Sequence, residues 1–149
     1  MNRVVQIVVM VAIAFAGGVA AQGRPDFSGT WRSADSTLTI RQDDQTIAVT
    51  AVGGTTAIYN LDGTDRRVDE RTDRGTASQV TTQAKWVGSA LLITSTTVSS
   101  IGTWQDLEVY SLDYGPKLTK VLVGSQTTRG MMYTTTSTYV RATSPTRSR

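Results

Sequence analysis

Residues 38–51, LTIRQDDQTIAVTA, contain the pattern on which the fold depends. Apolar and polar side chains alternate at Leu38 and Ile40, a polar stretch follows, and the alternation resumes over Ile47–Ala51. Alternation with a period of two is typical of strands that bury one face, and a short polar segment between two such strands indicates a reversal of the chain. We therefore interpret this stretch as two antiparallel strands joined by a turn.

The same alternation recurs along most of the chain. Within each run the apolar residues are two, four or six positions apart, so they lie on one face of a strand. The runs are Ala57, Tyr59 and Leu61; Val80, Ala84 and Trp86; Leu91 and Ile93; Tyr110 and Leu112; and Tyr133 and Tyr139. Segments that tolerate tight turns separate the runs at 41–45, 53–54, 62–63, 74–75, 87–89, 113–116 and 129–130. Threonine, a strand former, supplies 25 of the 128 residues after position 21. We predict eight or nine antiparallel strands in up-and-down order.

A sheet of this size must cover its apolar face. No segment after residue 21 shows the 3.6-residue period of a helix that could cover it. Closing the sheet on itself buries that face and removes the exposed edges, which favours a single all-β, antiparallel barrel. A sandwich of two packed sheets would produce nearly the same alternation, so periodicity alone leaves this alternative open.

The N-terminal residues resemble an export signal. Arg3 precedes an apolar run over Val4–Phe15, and the small residues Val19-Ala20-Ala21 suit cleavage by a signal peptidase after Ala21. The competing interpretation is a retained membrane anchor, but Gly17-Gly18 weakens the helix and no basic segment follows it. We expect residues 1–21 to be removed, residues 22–141 to form one domain in the periplasm or outside the cell, and residues 142–149 to be a disordered tail.

The composition excludes several kinds of chemistry. The chain contains no His and no Cys, so disulfides, thiolate nucleophiles, Cys/His zinc sites and imidazole catalysis are impossible. The formal net charge is +3, and it becomes +2 when Arg3 leaves with the signal. Because the basic residues are dispersed, the sequence does not favour nucleic-acid binding. We expect no membrane span after cleavage, no cofactor and no metal.

The segment Phe27-Ser28-Gly29-Thr30-Trp31 and the C-terminal Tyr139-Val140-Arg141 together resemble the lipocalins and their calycin relatives. Short pieces over roughly residues 26–141 are also similar to small bacterial secreted lipocalin-like proteins. The chain departs from a typical lipocalin in having no C-terminal helix, and from the kernel lipocalins in lacking their Thr-Asp-Tyr motif. The resemblance implies a barrel in which Gly29 and Trp31 form the structural signature and Arg141 packs over the Trp31 ring. It also implies a small hydrophobic or amphipathic ligand inside the barrel.

If Trp31 points inward, five aromatic side chains share its face. They are the candidate ligand-binding residues Tyr59, Trp86, Tyr110, Tyr133 and Tyr139. Aromatic rings with a polar group can line a cup and hold an apolar ligand by a hydrogen bond. The alternative is a barrel interior filled by these same side chains, in which case the protein is a structural or interaction module.

Three further features of the sequence bear on function. Trp104 is either at the mouth of a pocket or in an exposed loop. Asp106 and Glu108 share a face, but nothing near them predicts the burial that raises a catalytic pKa, so we expect solvated acids and no enzyme. Five acids and four arginines occur over Asp62–Arg74, which predicts an exposed hairpin and a candidate surface for protein contact.

Overall fold

The computed structural model describes residues 24–71, 77–113, 116–127 and 129–142. The predicted signal at 1–21 and all but the first residue of the predicted tail lie outside these ranges. Every regular element in the described residues is a strand. The strands are β1 (Gly29–Arg32), β2 (Thr37–Gln42), β3 (Thr46–Ala51), β4 (Thr56–Asn60), β5 (Arg66–Arg71), β6 (Ala77–Val87), β7 (Ala90–Ser99), β8 (Gly102–Asp113), β9 (Lys117–Gln126) and β10 (Met131–Arg141).

All ten strands belong to one antiparallel sheet. Its order is β4-β3-β2-β1-β10-β9-β8-β7-β6-β5, so the first strand pairs with the last and every other neighbour is consecutive in sequence. The two edges, β4 and β5, approach each other where the Arg66 guanidinium donates to the Ile58 carbonyl oxygen at 3.2 Å. The molecule is therefore a nearly closed up-and-down barrel made from one sheet, which removes the sandwich alternative.

The predicted count of eight or nine strands was too low, because two turns escaped the sequence analysis. The first lies between Ser33 and Ser36, where the Ser36 amide donates to Ser33 Oγ at 3.1 Å. The second precedes Gly102, where the Ile101 amide donates to Ser99 Oγ at 3.2 Å. Serine side chains close both turns locally, a role with a weaker sequence signal than the glycines that mark most of the predicted turns.

The main core fills one end of the barrel, which we call the closed end. Its largest buried side chains include Phe27, Trp31, Ile40, Ile47, Leu91, Ile93, Tyr110 and Leu118. Phe27 precedes β1 and is inserted beneath the strands, where its ring stacks on Trp86 with 5.6 Å between centroids. Its amide donates to Gln42 Oε1 at 3.1 Å, and Gln42 Nε2 donates to the Pro25 carbonyl oxygen at 3.1 Å. Gln42 thus holds the segment that seals this end.

A second apolar cluster lies on the opposite face of the sheet. Ala90, Leu92, Leu107 and Val109 are buried there, and Val121 packs against them. This explains why the sequence of β9 shows no clear phase, since Leu118 belongs to the main core while Val121 belongs to the outer cluster. Strands β7 to β9 therefore carry apolar residues on both faces.

Candidate binding site

Trp31 and Arg141 join the two ends of the chain. Trp31 is 1% exposed, its Nε1 donates to the Phe27 carbonyl oxygen at 2.8 Å, and the Arg141 guanidinium carbon lies 4.6 Å from the centroid of the Trp ring. Gly29 lies beside the same guanidinium and has a φ of 137°, a backbone conformation that residues other than glycine rarely adopt. The strand pairing between β1 and β10 is thus reinforced by a cation on an aromatic face.

The inner face of the barrel changes character with distance from the closed end. Across β8, β9 and β10 the paired inner residues run from Leu112, Leu118 and Tyr139, through Tyr110, Lys120 and Ser137, then Glu108, Leu122 and Thr135, to Asp106, Gly124 and Tyr133. Along β10, Tyr139 is buried, Ser137 is half-buried, and Thr135 and Tyr133 are exposed. The lower rows are therefore a packed core, whereas the upper rows open to solvent. We call this open half the cup.

The base of the cup contains a bonded group of polar side chains. The Tyr110 hydroxyl donates to Glu108 Oε2 at 2.7 Å, and Lys120 Nζ lies 2.8 Å from Glu108 Oε1. The side chains of Lys120 and Glu108 are 20% and 22% exposed, so both reach the solvent of the cup. The ammonium of Lys120 also lies 5.4 Å from the centre of the Tyr110 ring. Both carboxylate oxygens of Glu108 thus have donors, which holds the side chain in one orientation.

One row higher, Tyr133 crosses a glycine to reach an acid. Its hydroxyl donates to Asp106 Oδ1 at 2.5 Å. This hydrogen bond, with a smaller contribution from partial burial, raises the pKa of Tyr133 to about 12. A Cβ at Gly124 would overlap both the phenol and the carboxylate. Gly124 therefore provides the space that lets this bond form across β9.

The five predicted aromatic residues do not form one binding surface. Tyr110 and Tyr139 are 1% and 5% exposed and belong to the core, against which Tyr59 and Trp86 pack. Burial, with a smaller contribution from Glu108, raises the pKa of Tyr59 to about 12. Only Tyr133, at 41% exposure, lies in the open rows of the cup. The structure thus places four of the five at or below the base of the cup.

The other predicted features also have definite positions. Trp104 lies in β8 on the same face as Asp106, not in a loop. Asp106 and Glu108 share a face, as predicted; they lie half-buried on the inner face, and each accepts a hydrogen bond from a tyrosine. Within Asp62–Arg74, the described residues form the β4–β5 turn and strand β5, which pairs antiparallel with β6, and residues 72–74 lie outside the described ranges.

Lys120 and Gln42 are two residues of these sites that the sequence did not predict. Lys120 interrupts the apolar run of β9, and a charged residue in an otherwise apolar strand was the available signal.

Across the described ranges, no group of three or more acidic side chains is arranged to hold a metal ion. The same part of the chain contains no helix with the length and apolar character of a membrane span. No protein-family model matches the chain, and no curated protein matches it.

Substituting Gly124 tests the arrangement of Tyr133 and Asp106. In Gly124→Ala we expect the new Cβ to displace the phenol, so that the pKa of Tyr133 falls from about 12 towards the ordinary value of 10.0. The displaced groups are the ends of exposed side chains, so the free energy of unfolding should change by only about 1 kcal/mol. Absorbance at 295 nm during an alkaline titration measures this. Tyr133→Phe is the control, and a G124A curve identical to wild type would contradict the assignment.

Proposed function

We propose that the protein is an exported lipocalin-like binding protein that carries a small amphipathic molecule in its cup and performs no chemical step. The observation that supports this most directly is the transition along the inner face, from the sealed core at Tyr139 to exposed positions at Thr135 and Tyr133. A barrel whose strands continue past their own core leaves an inward-facing surface available to a ligand.

The polarity of the cup favours an amphipathic ligand over a purely hydrophobic one. Asp106, Glu108, Lys120 and Tyr133 can orient a polar group near the base, although each contact would exchange with an existing hydrogen bond or with water. At the same end of the barrel, exposed apolar residues occupy the turns and strand ends. They are Val52, Ile101, Met131 and Met132. These apolar residues can contact the body of a ligand whose polar group points inward.

The alternative of a filled structural module has one supporting observation. The lower half of the barrel is packed with its own side chains, including Tyr110 and Leu118. The exposed charged residues of β5 and its preceding turn would then be the contact surface for another protein. The exposure of Thr135 on the inner face favours the carrier, because a filled barrel would bury that position.

A matched pair of substitutions tests the cup. Thr135 and Thr136 are both exposed neighbours in β10, but they point to opposite faces of the sheet. We expect Thr135→Trp to fill the cup and weaken binding of the amphipathic probe N-phenyl-1-naphthylamine at least tenfold, and Thr136→Trp to leave it unchanged. Probe fluorescence measures both, with protein expressed from the full chain.

Native mass spectrometry of the freshly purified protein complements this titration by showing whether a small molecule is carried. An absence of probe binding, or an equal loss in the two variants, would contradict a ligand site in the cup. If charge reversal at Arg67 and Asp69 in β5 then removed a captured envelope protein, the structural alternative would replace the carrier.

A further inference from the structure

A separate cleft of about 400 Å³ lies outside the closed end. It is lined by Arg24, Asp26, Gln42, Asp43, Asp44, Leu61 and Trp86. These residues come from the segment before β1, the end of β2 and the β2–β3 turn, the loop after β4 and the end of β6. The Phe27 side chain and the packed core lie between this cleft and the cup. The cleft is therefore a distinct site, with a volume in the range of small-molecule pockets.

Trp86 forms an aromatic wall of the cleft. Phe27 stacks on the indole with an interplanar angle of 4°, and this contact holds the ring in a fixed position. The Arg24 guanidinium carbon lies 5.9 Å from the centroid of the same indole. This distance is within the range in which a cation is attracted to the face of an aromatic ring. The chain itself thus places a planar cation against Trp86.

The charges around the cleft are predominantly negative. Among the lining residues, Asp26, Asp43 and Asp44 contribute three carboxylates and Arg24 one guanidinium, and the Arg141 guanidinium also lies beside Asp26. Hydrogen bonds from the Ser28 side chain and amide lower the pKa of Asp26, and those from the Gln45 and Thr46 amides lower the pKa of Asp43. Asp26 and Asp43 are therefore ionised at neutral pH. A ligand carrying positive charge would be attracted more strongly than a neutral one.

We propose that this cleft binds an organic cation, an ammonium or guanidinium group on an apolar body, with Trp86 as the aromatic wall and Arg24 as a built-in competitor. Leu61 supplies a buried apolar surface for the body of the ligand. Arg24 precedes β1 and lies outside any strand, so its side chain can leave the indole without breaking the sheet. The ligand cation would take the position that the guanidinium holds in the structure.

The probe for this site is benzyltrimethylammonium, compared with uncharged benzyl alcohol and with glucose. Isothermal titration calorimetry of the full chain should show binding of the ammonium compound and at least tenfold weaker binding of the other two. Arg24→Ala should tighten binding about threefold or more, because the competing cation is gone. Asp44→Asn should weaken it, and it is preferred to a change at Asp43, whose carboxylate caps the β2–β3 turn.

The NMR signal of the Trp86 indole provides the second readout. The signal is assigned by its absence in Trp86→Phe, and it should shift on addition of the ammonium compound in both wild type and the cup variant Thr135→Trp. Equal binding of benzyl alcohol, preferred binding of glucose, or weaker binding by R24A would each overturn the proposal. Because T135W separates the two sites, failure here leaves the proposed function of the cup untouched.

Discussion

Trp31→Ala is expected to lower the free energy of unfolding by about 3 to 5 kcal/mol, the usual effect of truncating a large aromatic side chain in a packed core. Trp31 is almost fully buried, donates a hydrogen bond to the Phe27 carbonyl oxygen, and supports the Arg141 guanidinium. The substitution thus loosens both the Phe27 segment that seals the closed end and the pairing of β1 with β10. Urea denaturation followed by circular dichroism measures the loss without relying on tryptophan fluorescence.

Two further variants make this prediction specific. Arg32→Ala changes the next residue of β1, which is exposed, and should alter stability by less than about 0.5 kcal/mol. Trp31→Phe keeps an aromatic ring but leaves the buried Phe27 carbonyl without its donor, so a loss of about 1 to 3 kcal/mol is expected. If W31A and R32A had similar stability, Trp31 would not be the residue that ties the two termini together.

Raising the pH from about 10 to 12 is expected to destabilise the protein by about 2 kcal/mol through Tyr59 alone. Burial raises the pKa of Tyr59 from 10.0 to about 12, and burial also raises the pKa of Tyr110. Below pH 10 the phenol is protonated in both states, so this stabilising contribution is fully present. Between the two values the unfolded chain loses a proton that the folded chain keeps, and unfolding becomes easier by about 1 kcal/mol per pH unit, below the limit of about 1.4 kcal/mol for a whole proton.

Denaturant unfolding at pH 9, 10, 11 and 12 measures this dependence, with Tyr59→Phe as the comparison. The variant should show a shallower fall in stability over the same range, since one linked proton is removed. The buried phenol of Tyr110 should ionise only as the protein unfolds, which absorbance at 295 nm detects. Parallel pH profiles for wild type and Y59F would mean that Tyr59 is not protected by burial.

Much of the local structure could be predicted from the residues alone. The alternation at Leu38–Ala51 predicted two strands and their turn, and the structure contains them as β2 and β3. The missing strands arose where serine side chains close the turns at 33–36 and 99–102, because that hydrogen bonding depends on geometry more than on residue type. Membership of the lipocalin family stays a prediction.

The candidate sites show more clearly what residue spacing cannot predict. Tyr133 and Tyr139 occupy the same strand and the same face, yet one is exposed and the other is buried. Their period-two spacing predicts the shared face but contains no information on depth within the barrel. The depth at which each side chain becomes buried depends on Phe27, which lies in the irregular segment before β1 and seals the closed end. Gln42, at the end of β2, anchors that segment by hydrogen bonds.

The sequence by itself determined most of the strands, the inward face of those that alternate regularly, and their up-and-down order, because side-chain alternation is a local property of the extended chain. Only the tertiary structure decided which end is sealed, that Glu108 pairs with Lys120 inside the barrel, and that Arg24 lies against Trp86 outside it. These contacts join residues that are distant in sequence or follow no period. They form only when β1 pairs with β10 and the Phe27 segment seals the closed end of the barrel.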